Sequence, residues 1–472
     1  MARPVAFTAA AMLLAGCAVG PTYERPALDL PEGWPEEHAV LDTASGAALG
    51  EWWQRFEDPG LDRLVERAVA ANPDIRLQAA RVEEARARLG LARAEQLPTV
   101  GLQAEATRQR QPAAAFGLEG FDSPPRNLYS IAGVLGYELD IWGRLARERE
   151  AAEAQLQGNL YALEAVRLGV IADVAVVYFN LRSAERQLQI TTQTIAAREE
   201  GVRIERLRFE AGQIDELNYR QAESELAGAR AEQPGRIEEI SRLQSALGLL
   251  IGLEPAELLG VIEIGDGELD DIVLPARVPA ELPSALLSRR PDLRAAEAEL
   301  IAATARVGVA EAARLPQFNL VGLLGTVAGS GADLFGGDAE AWSIGASIAG
   351  PLYDFGRSAA RVETAEAQRE QAELRYRATA ARAFAEVRDA LVFYENSGLR
   401  LAAVLDQAAA LRRTEALADI RHREGYISII ELLIAQRALL NAELAVARAQ
   451  ADRFTAIATL YKALGGGWVG SW

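Results

Sequence analysis

From Arg357 to Leu464 the chain carries no proline and is filled almost throughout with strong helix formers, chiefly alanine, glutamate and arginine. At about 1.5 Å per residue, Arg357 to Glu424 alone makes a rod of roughly 100 Å. A helix of that length draws its stability from partners packed along it, not from propensity. Phe384, Val387, Leu391 and Tyr394 step 3-4-3, the seam spacing of a coiled coil. Gly425 interrupts, and Ile429 to Leu464 can fold back as a second helix. Gly425 therefore marks the tip of a long helical hairpin.

The same pattern occurs earlier. Ile171, Val174, Tyr178 and Leu181 repeat the 3-4-3 steps, each 213 residues before its counterpart. Gly212 precedes Gly425 by the same 213, with "FEAGQID" answering "HREGYIS". Upstream, Asn72-Pro73-Asp74 answers Arg290-Pro291-Asp292 and Leu97-Pro98 answers Leu315-Pro316, both offset by 218. Offsets this stable across several motifs identify an internal duplication. A chain of 472 residues would otherwise suggest two or three globular domains. The duplication favours one elongated unit built twice.

Net charge is −18, which argues against nucleic acid as a partner. The sole cysteine, Cys17, excludes both a disulfide framework and a cysteine metal cluster. Arg3, the apolar run Val5 to Leu14 and the "LAGC" that ends it read as a secretory signal, too short to span a bilayer. The small-residue site ending in Cys17 resembles a bacterial lipobox. That implies a signal peptide over 1–16, cleavage before Cys17, and a diacylglycerol and an N-acyl chain on that residue. By the same resemblance, Ala18 in place of aspartate favours sorting to the outer membrane. No later segment has the long uncharged run of a membrane helix.

Residues 17–58 read as an extended arm, anchored by Trp52, Trp53 and Phe56. A helical pattern then runs past Asn72 to about Gln96, with Leu61, Leu64, Val65 and Ala68 on one face. After Pro98 the period changes to two. Tyr129, Ile131, Leu135, Tyr137, Leu139 and Ile141 alternate with Ser130, Gly136, Glu138 and Asp140, giving a strand with an apolar and a polar side. Trp342, Ile344, Ala346 and Ile348 repeat this against Ser343, Gly345 and Ser347. "FNLVGLLGTV" is ambiguous by periodicity and is assigned as a strand from its place in the repeat. The strand pairs are expected at about 98–141 and 316–353, with loops at Gln111 to Arg126 and Gly329 to Glu340. Repeat 1 covers 59–252 and repeat 2 covers 284–464. A Pro- and acid-rich linker, 253–283, is expected beside the helices at mid-height, and 465–472 forms a tail. Four strands cannot close a membrane barrel, because an open edge in hydrocarbon leaves backbone groups unpaired. Either the strands form a soluble sheet or several chains pool them. Tyr137, Trp342 and Tyr353 suit an aromatic girdle.

Lipobox, duplication, paired strands and paired hairpins together resemble the outer-membrane efflux channel family, the TolC/OprM-like outer-membrane factors. The resemblance covers essentially the whole mature chain. It is most specific in "CAVGPTYERP", "WWQRFEDPGLDRLVERA", the two "NPD/RPD" helices, and "EGYISIIELLIAQRALLNAEL" with the closing "LYKALGGGW". It implies a mostly α fold with a membrane β-barrel. Each protomer supplies four strands and two long coiled-coil hairpins to a homotrimer. The implied location is the outer membrane of a Gram-negative bacterium, with a lipid anchor and a long periplasmic tunnel. The implied function is that of a passive exit duct for drugs or other small toxic compounds. Its partners would be outer-membrane lipid, a periplasmic adaptor meeting the hairpin tips at Gly212 and Gly425, and an inner-membrane resistance–nodulation–division pump. A type I secretion system is the alternative within the channel class. A trimeric coiled-coil scaffold or adhesin is the alternative outside it, and would need neither the two strand pairs nor the duplication.

The residues point to no catalysis, no metal site and no cofactor beyond the lipid on Cys17. The two histidines, His38 and His422, have no nucleophile or ligand cluster beside them in sequence. His422 reads as a solvated helix-end residue. The resemblance places a gate near the second tip, where an apolar residue, an acid and an arginine line a constriction. Aligned on "AQR", these positions fall at Ile430, Ile434 and Arg437. Ile434 departs from the pattern, standing where the resembling channels often carry aspartate. The spacing keeps all three on one helix face. Closure is therefore expected on two apolar rings that gate by dewetting. Arg437 is expected to brace the bend against an acid near the neighbouring tip: Asp215, Glu216 or Glu431.

Overall fold

The computed structural model describes residues 19–29, 50–110, 124–260, 267–275 and 283–467. A 3-10 turn at Trp52–Phe56 leads into helices α1 (Pro59–Ala71) and α2 (Pro73–Glu95). Strands β1 (Thr99–Gln109) and β2 (Arg126–Leu139) follow, then the long α3 (Arg144–Glu210) and its return α4 (Glu216–Leu250). A short α5 (Pro255–Leu258) and α6 (Pro283–Arg289) precede the second set. That set comprises α7 (Pro291–Ala312), β3 (Gln317–Ala328), β4 (Glu340–Ala349), α8 (Arg357–Arg423) and α9 (Ile429–Ala463). Helices α3 and α8 are each 67 residues long, and α4 and α9 are each 35. In the hairpins the duplication is thus reproduced length for length.

Several boundaries differ from the sequence expectation, three of them for a clear local reason. The single helix expected to run past Asn72 is two helices. Asn72 precedes Pro73, which disfavours helical backbone at that position, and it takes ψ 129°. Its Oδ1 accepts from the amides of Asp74 (2.9 Å) and Ile75 (3.2 Å), while its Nδ2 donates to the Leu250 carbonyl (2.8 Å). Strand β2 ends at Leu139, short of Ile141, because Asp140 is used as a cap. Its carboxylate accepts from the amides of Leu145 (3.1 Å) and Ala146 (2.8 Å) at the start of α3. The linker carries structure of its own: Glu254 and Glu257 close a capping box around α5, and Pro283 already opens α6.

The fold divides into two compact units. The first comprises Val82–Asn159 and Ala295–Tyr376, with the arm up to Ala27. It holds one antiparallel sheet in the order β1-β2-β3-β4. The arm is pinned within it. Arg25 forks onto Glu297 at 2.7 and 2.9 Å, Tyr23 donates to the same carboxylate (2.9 Å), and Val19 donates to the Trp142 carbonyl (3.1 Å).

The second unit comprises Leu28–Arg81, Leu160–Arg294 and the chain from Arg377 on. Its core joins both repeats: Ile171, Val174, Tyr178 and Leu181 pack with Val387, Leu391, Tyr394, Phe454 and Ile457. Trp52, fully buried, stacks on Tyr461 with ring centroids 5.3 Å apart. The anchoring aromatics therefore meet the closing motif. Asp58 caps α1 from the amides of Gly60 (2.7 Å) and Leu61 (3.1 Å) and accepts a hydrogen bond from the Tyr178 hydroxyl (2.7 Å). Burial and the Asp58 carboxylate push the Tyr178 phenol well above its usual range. Leu269 and Ile272 of the linker also enter this core.

Candidate functional site

Two regions have the form of working surfaces, the sheet and the hairpin ends. Register sets the faces of the sheet. Thr99 pairs with Gly136, Leu139 with Phe318 and Gln317 with Ala349. Alternation then puts Val100, Leu102, Tyr129, Ile131, Leu135, Tyr137, Leu320, Leu324, Trp342, Ile344 and Ile348 on one side. The other side carries Thr99, Gln103, Glu105, Ser130, Glu138, Asn319, Ser343 and Ser347, with Val134, Val321, Leu323 and Val327 among them. Among the described residues much of the apolar side is uncovered, Leu102 being 81 % and Ile344 83 % exposed. Apolar residues fall on both sides of β3, and that is why its sequence was ambiguous. Of the three aromatics expected in a girdle, Trp342 and Tyr353 are exposed and Tyr137 is half-buried. Among the described residues no helix is long and apolar enough to cross a membrane.

At the hairpin ends both glycines turn the chain as their repeat positions predict. Gly212 has φ +71° and Gly425 φ +78°. In each, the glycine and the residue after it donate back to the last helical carbonyls, Gln213 to Arg208 and Tyr426 to Arg421, both at 2.8 Å. His422 is not solvated. Its side chain is 12 % exposed and its Nε2 lies 3.4 Å from Glu205 and 3.2 Å from Arg208, both on α3. The Glu205 carboxylate is buried, with Arg208 donating to it at 2.9 Å.

Helix α9 buries Ile429, Leu432 and Ala435 and leaves Ile430 and Ile434 exposed on its other side. Arg437 is exposed too, but it is paired within the chain to Glu225 of α4, and to none of the three acids expected. Those acids are spent locally. Asp215 caps α4 through the Asn218 amide (3.0 Å), Glu216 pairs with Arg220 (3.2 Å), and Glu431 forms a capping box with Ser428. Glu225 is shared: Arg198, buried on α3, approaches its carboxylate at 3.3 Å and donates to its backbone carbonyl at 2.6 Å. Burial holds the Arg198 guanidinium below its usual range, against the pull of Glu225. Sequence reasoning missed Glu225, Arg198 and Glu205. A signal was present, since Ile195, Arg198, Val202 and Glu205 again step 3-4-3, with charges at two of the four positions. Cys17 and His38 lie outside the described residues. Among those residues no group of His, Cys, Asp and Glu is placed to hold a metal.

The profile of the outer membrane efflux protein family matches residues 64–253 and 282–466, most of the chain. The chain belongs to that family. The solvent efflux pump outer membrane protein SrpC of Pseudomonas putida is 32 % identical over 466 residues, 97 % of either chain. Outer membrane protein OprJ of Pseudomonas aeruginosa is 33 % identical over 471 residues, 99 % of this chain and 97 % of its own. Among solved structures, the outer-membrane channel OprN superposes with a TM-score of 0.87 at 31 % identity, over 96 % of this chain and all of that one. Membership of the outer membrane efflux protein family fixes the function as an efflux exit duct in the outer membrane. It also accounts for a mostly helical chain that carries one small sheet.

Proposed function

We propose that three copies of the chain pool their sheets into one twelve-stranded barrel, through which compounds leave passively and without catalysis. The carrying observation is the register. The pairing of β1 with β2 becomes that of β3 with β4 when the offsets of 218 and 213 are applied, since Thr99↔Gly136 maps onto Gln317↔Ala349. The contact between β2 and β3 therefore has an equivalent that a single chain cannot make, between β4 and β1 of the next copy. Leu135↔Gly322 and Leu139↔Phe318 translate into Ile348 facing Ala104, and Leu352 facing Val100, of that copy. The translated pairs keep the apolar face continuous around the closure. Val100 and Leu352, both exposed, are the side chains that closure would cover.

Directly opposed residues on antiparallel strands have Cβ atoms about 5 Å apart. With Cys17 replaced, the pair Ile348→Cys and Ala104→Cys should cross-link copies in outer-membrane vesicles, giving a ladder on denaturing gels. The pair Ile348→Cys and Glu105→Cys, on opposite faces, should not. The reverse pattern would refute this closure.

The same reading assigns a lipid anchor to Cys17. Val19, two residues on, is bonded to Trp142 at the end of the sheet, so a lipid on Cys17 would enter the membrane that the apolar face occupies. The hairpin ends at Gly212 and Gly425 would receive a periplasmic adaptor, with a resistance–nodulation–division pump beyond it. The exposed Ile430 and Ile434 would form the apolar rings of the gate, steadied by the Arg437–Glu225–Arg198 cluster. The substrates would be small toxic compounds; SrpC is named for solvent efflux.

A further inference from the structure

Gln187 sits on α3 with only 6 % of its surface exposed, and its amide is held from behind. Its Nε2 donates to Ser183 Oγ at 3.1 Å, and that hydroxyl donates to the Ala447 carbonyl at 2.9 Å. The orientation leaves Oε1 as the group's one free acceptor. Two guanidinium groups converge on it: Arg236 from α4 at 2.9 Å and Arg448 from α9 at 3.1 Å. Two cations whose donor nitrogens are no more than about 6 Å apart repel, and a neutral oxygen does not cancel that repulsion.

Neither arginine has a carboxylate in ion-pair distance among the described residues. The acids beside them are engaged elsewhere, Glu239 with Arg242 and Asp452 with Arg400 (3.4 Å). An arginine pair without a counter-ion is anomalous in a chain carrying 67 acids against 49 basic residues. A cavity of about 600 Å³ opens over the group, lined also by Asn180 and Gly235.

The duplication shows that the arrangement is not inherited from the repeat. Across the offset of 213, Gln187 answers Arg400, Arg448 answers Gly235, Arg236 answers Ala449, and Glu239 answers Asp452. In the second repeat Arg400 and Asp452 neutralise each other. Around Gln187, glutamine stands at the arginine's position, and one arginine arrives from each repeat, Arg236 and Arg448, at positions where the other repeat has none.

We propose that Arg236, Arg448 and Gln187 form an oxyanion site. Gln187 aligns the two planar forks so that their remaining N–H groups bind one carboxylate, phosphate or sulfate group by charge-assisted hydrogen bonds. The anion comes from solution, or is a carboxylate presented by a second copy of this chain.

The test uses the full-length protein in detergent, titrated calorimetrically with sodium sulfate against sodium chloride at matched ionic strength. A solution anion predicts one saturable site per chain. Arg236→Gln with Arg448→Gln should weaken it at least tenfold. Gln187→Glu should do the same, because it supplies the missing carboxylate from within. That second variant keeps size and both arginines, so the conclusion survives if the double variant fails to fold. A carboxylate from a second copy predicts no sulfate heat from the wild type. In that case both variants should lower the denaturant concentration at which oligomers dissociate on native gels. Sulfate binding undiminished in both variants overturns the site, as does absence of binding together with unchanged oligomer resistance.

Discussion

Replacing Glu225 by glutamine tests what holds the two helices of the first hairpin together near its end. Arg198 is buried, and among the described residues Glu225 is the carboxylate in ion-pair distance of it. Breaking a buried pair by removing one partner costs about 3–5 kcal/mol, since the remaining charge is left without compensation. Arg198 would keep its 2.6 Å bond to the Glu225 backbone carbonyl, and glutamine would still offer an oxygen. We therefore place the cost lower, at about 2–3 kcal/mol. The other partner behaves differently. The Arg437 side chain is 58 % exposed, so its pair with Glu225 is worth about 0–1 kcal/mol after screening. The assay is hydrogen–deuterium exchange of peptides spanning the start of α4, which reads local opening directly and does not require reversible unfolding. Glu225→Gln should speed exchange there by roughly 30- to 150-fold, and Arg437→Ala by less than about fivefold. Equal effects from the two variants, or an unchanged rate in Glu225→Gln, would refute the assignment of Arg198 as the charge that needs Glu225.

Single-channel recordings in lipid bilayers should show higher conductance for Ile434→Ser and for Arg437→Ala, and higher still for the double variant; unchanged conductance in all three removes the gate from this end of α9. Cys17→Ala, with a cleavable signal retained, should still reach the outer membrane as oligomers, and a wholly soluble periplasmic product would contradict a sheet embedded in lipid. Asp58→Ala removes the cap of α1 and the acceptor of the buried Tyr178 hydroxyl, and should cost about 2–3 kcal/mol. Thermal denaturation would show no shift if that network were incidental. Mature protein should bind no Cu(I) or Ag(I) stoichiometrically, because Met1 and Met12 lie in the signal and Cys17 carries lipid on this reading; tight binding on titration would count against it.

Periodicity was legible wherever one element decides its own pattern. The seams from Ile171 and Phe384, the alternation of β2 and β4, and the tips at Gly212 and Gly425 all follow from chain-local rules. What the sequence concealed depends on a second element. Asn72 and Asp140 continue their patterns well enough to be read through, yet each serves as a cap. Asn72 also bonds the Leu250 carbonyl, 178 residues away, which no local period encodes. His422 has an ordinary helix-end context, and only the approach of α3 buries it against Glu205. The partner of Arg437 was misplaced for the same reason: Asp215, Glu216 and Glu431 are close to the tip in sequence, whereas Glu225 is brought to Arg437 by the pairing of two helices.

The equal lengths of α3 and α8, and of α4 and α9, restrict how such a chain can change length over evolutionary time. Each inserted residue advances a helix by about 1.5 Å and turns everything beyond it by about 100°. A lone insertion in α8 would carry Gly425 out of step with Gly212 and rotate its seam away from its partners. Seven residues nearly restore the face, but only if all four helices gain them. Viable length variants among descendants of this chain should therefore differ in steps near seven, with each step written four times.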